Sequence, residues 1–202
     1  HRPDRRPTAP HGYSRKGLVA GTVHRRPAPC AHCMLRYTAS MRRLLSEISA
    51  EARKGQMAID AAVYTEVGRD PTEPVLLGSG SLEARIGLFG RDPGRMEIAV
   101  GEPFVGKGGQ LVRGVLYRAA GGAGTPTFEE SVAIGRRVFW GNTVPFKPLG
   151  NKAWSTAVKR RFLPFIRRLL VEQWKGCELI TLGNQAYDWF ALAEPANRSL
   201  LR

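Results

Sequence analysis

Three short segments carry residues whose types and spacing suit chemistry on a bound ligand. Gly90-Arg-Asp-Pro-Gly94 sets a carboxylate, Asp92, in a glycine- and proline-bounded turn. Gly101-Glu-Pro-Phe-Val-Gly106 and the glycines after it present one aromatic, Phe104, from a permissive backbone. Asn142 closes an apolar run and offers a donor and an acceptor on one amide. Each also has a plain structural explanation, as a turn acid, a core ring or an amide cap. Their places matter more, because all three fall where strands are expected to end, and open α/β sheets collect ligands there.

One alternative is excluded first. Gly101-Glu-Pro-Phe-Val-Gly106-Lys107-Gly108 nearly matches the phosphate loop G-x-x-x-x-G-K-[ST]. Gly108 stands where that loop needs a magnesium-holding hydroxyl. The Pro-Phe pair also removes a backbone N–H and adds bulk where a phosphate would sit. Nucleotide hydrolysis through this loop is therefore set aside.

The elements that must position these residues are legible from periodicity. Met41, Leu44, Leu45, Ile48 and Ala52 recur at helical spacing, and the pattern stops at Gly55. Residues 65–83, with their prolines and glycines, read as a loop. Apolar runs over 84–90, 138–144 and 178–183 read as buried strands. Helices are predicted from Gln110 to Ala120, with Leu111, Val115 and Leu116 inward, and from Thr156 to Trp174. In the latter, Val158, Phe162, Phe165, Ile166, Leu169 and Leu170 line one face, with Pro164 marking a kink or the true start. A further helix opens over 184–190. Alternating strands and helices give an α/β class: three layers, α/β/α, around a central mostly parallel sheet.

Composition bounds the partners. Thirty-one Lys and Arg against seventeen Asp and Glu leave a formal charge of +14, which favours nucleic acid first and an anionic membrane surface second. No apolar run approaches a membrane span. Three cysteines, Cys30, Cys33 and Cys177, make no disulfide framework, so a reducing, cytoplasmic setting is expected. Cys30, Cys33 and His24 resemble half of a metal site with no second half, so no metal is expected. Residues 1–36, rich in Arg, Pro and Gly, read as a basic flexible arm ahead of a catalytic domain over 37–202.

Taken in order, the motifs resemble the uracil-DNA glycosylase superfamily, most closely its iron–sulfur branch, family 4. That branch carries Gly-Glu-Ala-Pro-Gly, a Glu shortly after, and Gly-x-Pro-Phe-Val-Gly-x-x-Gly-Gln-Leu. Here stand Gly90-Arg-Asp-Pro-Gly94, Glu97 and Gly101-Glu-Pro-Phe-Val-Gly106-Lys-Gly-Gly-Gln110-Leu111. The family's Asn-x-Val and proline-rich loop are matched by Asn142-Thr-Val144 and Pro145-Phe-Lys-Pro148, and its Thr-Leu-Gly by Thr181-Leu-Gly183. The resemblance implies a DNA repair glycosylase that hydrolyses the N-glycosidic bond of uracil in DNA. The enzyme would be monofunctional, monomeric, without cofactor and without an obligate protein partner.

Departures from the pattern sharpen the expectation. The branch's bracketing cysteines are missing from the region just before residue 76 and from the neighbourhoods of Phe146 and Phe162, so no iron–sulfur cluster is expected. Asp92 stands where that branch has alanine and where the classical enzymes, with Gly-Gln-Asp-Pro-Tyr-His, carry a water-positioning acid. Such a carboxylate stabilises the oxocarbenium-like sugar and orients the attacking water. Phe104 would stack the flipped base, and Asn142 would read its Watson–Crick edge. Gly90, Gly94 and Glu97 complete the expected base-binding set, and Asp92, Asn142 and Arg91 the catalytic set. Arg91 would meet phosphate or hold a carboxylate such as Glu97.

Gly94 replaces the tyrosine that excludes thymine in the classical enzymes, which opens the range to xanthine, hypoxanthine or mismatched thymine. No His-Pro-Ser-like motif follows Asn184, so within this chain leaving-group charge would fall to backbone N–H groups or Arg91. A non-catalytic nucleic-acid-binding module on the same frame is the alternative of a different class. Lys107, Lys147, Lys152, Lys159 and Arg160 are the expected DNA-facing cations.

Overall fold

The computed structural model describes residues 37–55, 57–74 and 76–193. The expected arm and the Cys30–Cys33 pair lie outside them. Helix α1 (Ala39–Arg53) starts where Thr38 accepts the Met41 N–H, and it buries Met41, Leu44, Ile48 and Ala52 as its period demands. Short α2 (Ala61–Thr65) follows, and β1 (Ile86–Gly90) is the first strand. Helices α3 (Arg95–Val100) and α4 (Lys107–Ala119) flank the glycine-rich loop. Helix α5 (Phe128–Gly135) begins with a reciprocal cap between Thr127 and Glu130.

After β2 (Phe139–Asn142) comes a loop containing a 3-10 turn at Leu149–Asn151, then α6 (Thr156–Arg168), capped by Ser155. Pro164 neither starts nor ends α6, and the chain continues as a π-helical turn over Leu169–Gln173. Strand β3 (Glu178–Thr181) and α7 (Asn184–Ala193) complete the described fold.

The strands run parallel in the order β2-β1-β3. Successive side chains alternate between the faces. Phe89 and Phe139 enter the main core with α1, α6, Trp174 and Trp189. Leu88 and Trp140 face the other way, toward Phe104, Val112 and Leu116. The expected three-layer α/β/α arrangement is thus present. The third strand differs from its prediction as a buried run: β3 is an edge strand among the described residues, and Ile180 is 51% exposed.

Helix α4 turns inward a face that shares only Leu116 with the one predicted. Leu111 and Val115 are 76% and 57% exposed, whereas Gly109, Val112, Arg113 and Leu116 pack inward. The helix begins at Lys107, and Gly109 lies so close to the Phe104 carbonyl that an added Cβ would stand 2.0 Å from that oxygen. That contact fixes the helix phase, and the buried side is the one three, four and seven residues on from Gly109. Deleting the ring of Phe162, a fully buried residue of α6 that packs on Phe146, is expected to cost about 3–5 kcal/mol. Urea unfolding of Phe162→Ala measures it.

Candidate active site

Strands β1 and β2 pair with Gly90 opposite Asn142, so both residues reach the same sheet end on the α4 face. Beyond that end the chain turns. Thr143 N–H donates to the Gly90 and Arg91 carbonyls at 2.9 and 3.1 Å, and its hydroxyl also donates to Arg91. Asp92 and Pro93 leave this anchored corner. With Phe104, Asn142, Glu97, Pro103 and Leu76, they line a small pocket of about 20 Å³, the size that holds a water.

Phe104 is held against the sheet in an unusual backbone state. Its φ of 52° lies in the left-handed region, which costs a bulky residue of order 1 kcal/mol or more. Three contacts account for it. An added Cβ on Gly90 would lie 2.5 Å from the ring, so glycine is what lets Phe104 settle on the strand end. The ring stacks on Trp140 at 4.8 Å between centroids. Arg113, wholly buried, donates through Nε to the Phe104 carbonyl at 3.0 Å and through its other nitrogens to Pro103 and Ser131. Its guanidinium lies 5.0 Å from the Trp140 ring centroid, so carbonyl dipoles and a π-face replace the water that the charge has lost.

Glu97 joins the two loops. One carboxylate oxygen accepts the Gly94 N–H at 3.0 Å and the other the Gly106 N–H at 2.7 Å. It borders the pocket as expected, yet both oxygens are occupied in fixing the segments that bear Asp92 and Phe104. Gln110 adds a bond from its amide to the Val105 carbonyl at 3.1 Å.

The Asp92 side chain is 3% exposed. Burial pushes its carboxyl above the usual aspartate range, while Arg91, Lys147 and Lys159 pull the other way. Arg91 reaches Asp92 with Nε 2.7 Å from Oδ1 and Nη2 3.1 Å from Oδ2. The Oδ1 contact is charge pairing without hydrogen-bond alignment, so this oxygen accepts no protein hydrogen bond. Arg91 therefore pairs with the adjacent Asp92 and not with Glu97. The short link between the two residues and the prior engagement of Glu97 by backbone explain the difference.

Lys107, Lys152 and Arg160 are exposed as a DNA-facing surface requires. Lys147 and Lys159 are not. Lys147 is buried, with Nζ 3.1 Å from Asp60 and 2.9 Å from the Asn151 side chain, and its backbone N–H donates to the buried Tyr64 hydroxyl. Lys159 is buried, with Nζ bonded to Gln185 at 2.5 Å. Both have internal partners because the 145–151 loop folds back on residues 58–60 and α6 packs on α7. Arg113 and Asn151 were not foreseen as site-building residues. A single charge at an inward position of α4 was the available signal for Arg113.

These features define an α/β protein whose strand-end pocket brings an aromatic ring, an amide and a buried acid together. A family model described as the uracil DNA glycosylase superfamily matches residues 77–201, more than half of the chain. The chain belongs to that superfamily, so it is a DNA glycosylase: a hydrolase of DNA repair with DNA as its substrate.

The raised Asp92 carboxyl has a consequence for stability. The native state holds this proton more tightly than the unfolded chain, whose carboxyl titrates near 3.8. Stability is therefore lost as pH rises from about 3.8 through the native value, and the penalty is complete above that native value. Asp92→Asn is expected to melt higher than the wild type at pH 7, with the gain shrinking on acidification. A lower melting temperature at pH 7 would contradict this.

Proposed function

We propose that this chain excises uracil from DNA by hydrolysis, leaving an abasic site, as a monofunctional cytoplasmic monomer that needs no cofactor. The observation that carries the reading is the meeting of the Asp92 carboxylate, Phe104 and Asn142 on the wall of one pocket. A base cleaved here must leave the stack, because its glycosidic bond is otherwise inaccessible. Phe104 receives its face. The Asn142 amide offers a donor to O4 and an acceptor to N3–H, a pattern that cytosine reverses.

Asp92 then orients a water toward C1′ and accepts its proton as the C1′–N1 bond breaks. The bonding pair leaves with the base, and the water oxygen forms the new bond to C1′. The same negative charge stabilises the cationic sugar in between. Backbone N–H groups at the Arg91–Asp92 corner are assigned to the charge that gathers on the uracil O2. Lys107, Lys152 and Arg160 are assigned to phosphates. Lys152 borders an open cleft of about 510 Å³ between Ala58, Pro148 and Val158, which offers a course for the strand.

One observation favours a broader base range. Gly94 caps α3 with its N–H on Glu97 and has no side chain to bar a methyl group. Mismatched thymine, xanthine and hypoxanthine are the bases to compare.

The test is release of base from uracil-containing single- and double-stranded oligonucleotides, followed by alkali. Asp92→Asn is expected to slow cleavage by about 10²-fold or more, the usual size of a lost general base. Phe104→Ala is expected to cost about 1–3 kcal/mol of binding to the flipped base. Asp92→Asn cleaving as fast as the wild type would remove Asp92 from the mechanism.

A further inference from the structure

Asp92 is surrounded by charge, but the surrounding groups are not equivalent. Lys147 draws the carboxyl down from a distance while its own Nζ is held by Asp60, the Pro148 carbonyl and Asn151. Lys159 does the same from α6, where it is bonded to Gln185 and faces Asp188. Glu97, the acid that shares the pocket wall, has its oxygens on the Gly94 and Gly106 N–H groups. Arg91 is the cation in contact with the Asp92 carboxylate.

Arg91 is itself fixed from the loop after β2. Its Nη2 donates to the Asn151 carbonyl at 3.2 Å. Asn151 sits in the left-handed region, φ 57°, and its side chain accepts from Lys147. At the other end, the Arg91 carbonyl is gripped by Thr143. Backbone and guanidinium are thus both held by the 143–151 segment.

We infer that Arg91 is a positioning residue: oriented by the Asn151 carbonyl, it keeps the Asp92 carboxylate ionised and aimed into the pocket, and it contacts neither base nor phosphate. The catalytic part of this rests on the role proposed for Asp92. The physical need is direct. A protonated acid cannot take a proton from water, and burial favours the protonated form. A cation in contact offsets part of that preference without entering the pocket.

The test pairs Arg91→Gln with Arg91→Lys and reads two quantities. Carbon-13 NMR of the Asp92 side-chain carboxyl, in the free protein, follows its titration whether or not the protein is active. The acid limb of single-turnover uracil release follows the same group in catalysis. In Arg91→Gln the Asp92 midpoint is expected to rise by about one pH unit or more relative to the wild type, and Arg91→Lys to recover part of it. The acid limb should move with the midpoint, lowering the cleavage rate near and below it, while DNA affinity stays within about twofold.

Asp92 titrating in Arg91→Gln where it does in the wild type would overturn the inference. So would weakened DNA binding with titration and cleavage rate unchanged, the signature of a phosphate contact. A shifted NMR midpoint beside an unmoved acid limb upholds the Arg91 pairing and instead removes Asp92 from the mechanism.

Discussion

Putting a carboxylate where almost no water reaches it is the constraint around which this site is built. An isolated buried charge would neutralise itself by binding a proton. The chain meets the constraint locally, with the next residue along. Arg91 lays its guanidinium on Asp92 and stays over a third exposed, so the cation remains partly hydrated while the anion does not. The pair depends on the sheet end in turn, because Thr143 clamps the Arg91 backbone to the end of β2. A shift of β1 against β2 would therefore disturb the acid before it disturbed the core.

The second half of the pocket is bound to the first by groups that never face a ligand. Glu97 links the Asp92 loop to the Phe104 loop through two backbone N–H groups. Arg113 supports the carbonyl beneath Phe104, and Gly90 and Gly109 make the approach close enough. Phe104 thus keeps a strained backbone, because several independent contacts over-determine it. Such preorganisation fixes the platform itself, while the water-sized space in front of it must widen before a planar ring can lie there.

Much of the frame was readable from the sequence because strong periodicity reports burial. Helices α1 and α6, the first two strands and the alternation that implies a parallel sheet follow from apolar spacing alone. What escaped has identifiable causes. Helices α2 and α3 are too short to show a period, and α5 announced itself only through the Thr127–Glu130 cap. The inward face of α4 was misread because an arginine occupies it, and a buried charge runs against hydrophobic patterning. Lys147 and Lys159 were misplaced on the surface for the same reason: spacing does not reveal that a cation has internal partners. The site motifs themselves were legible through family resemblance. Their mutual hydrogen bonding through Glu97, Asn151 and Thr143 was not, since those links span loops of irregular geometry.

The central claim is that Phe104, Asn142 and Asp92 surround one flipped base and its sugar. A crystal structure of the protein with DNA carrying 2′-fluoro-deoxyuridine, whose electron-poor sugar resists cleavage, tests it most directly. The account predicts the uracil ring on Phe104, the Asn142 amide against its O4 and N3, and an Asp92 oxygen beneath C1′. A uracil still stacked in the DNA, or bound elsewhere with Asp92 remote from C1′, would contradict it.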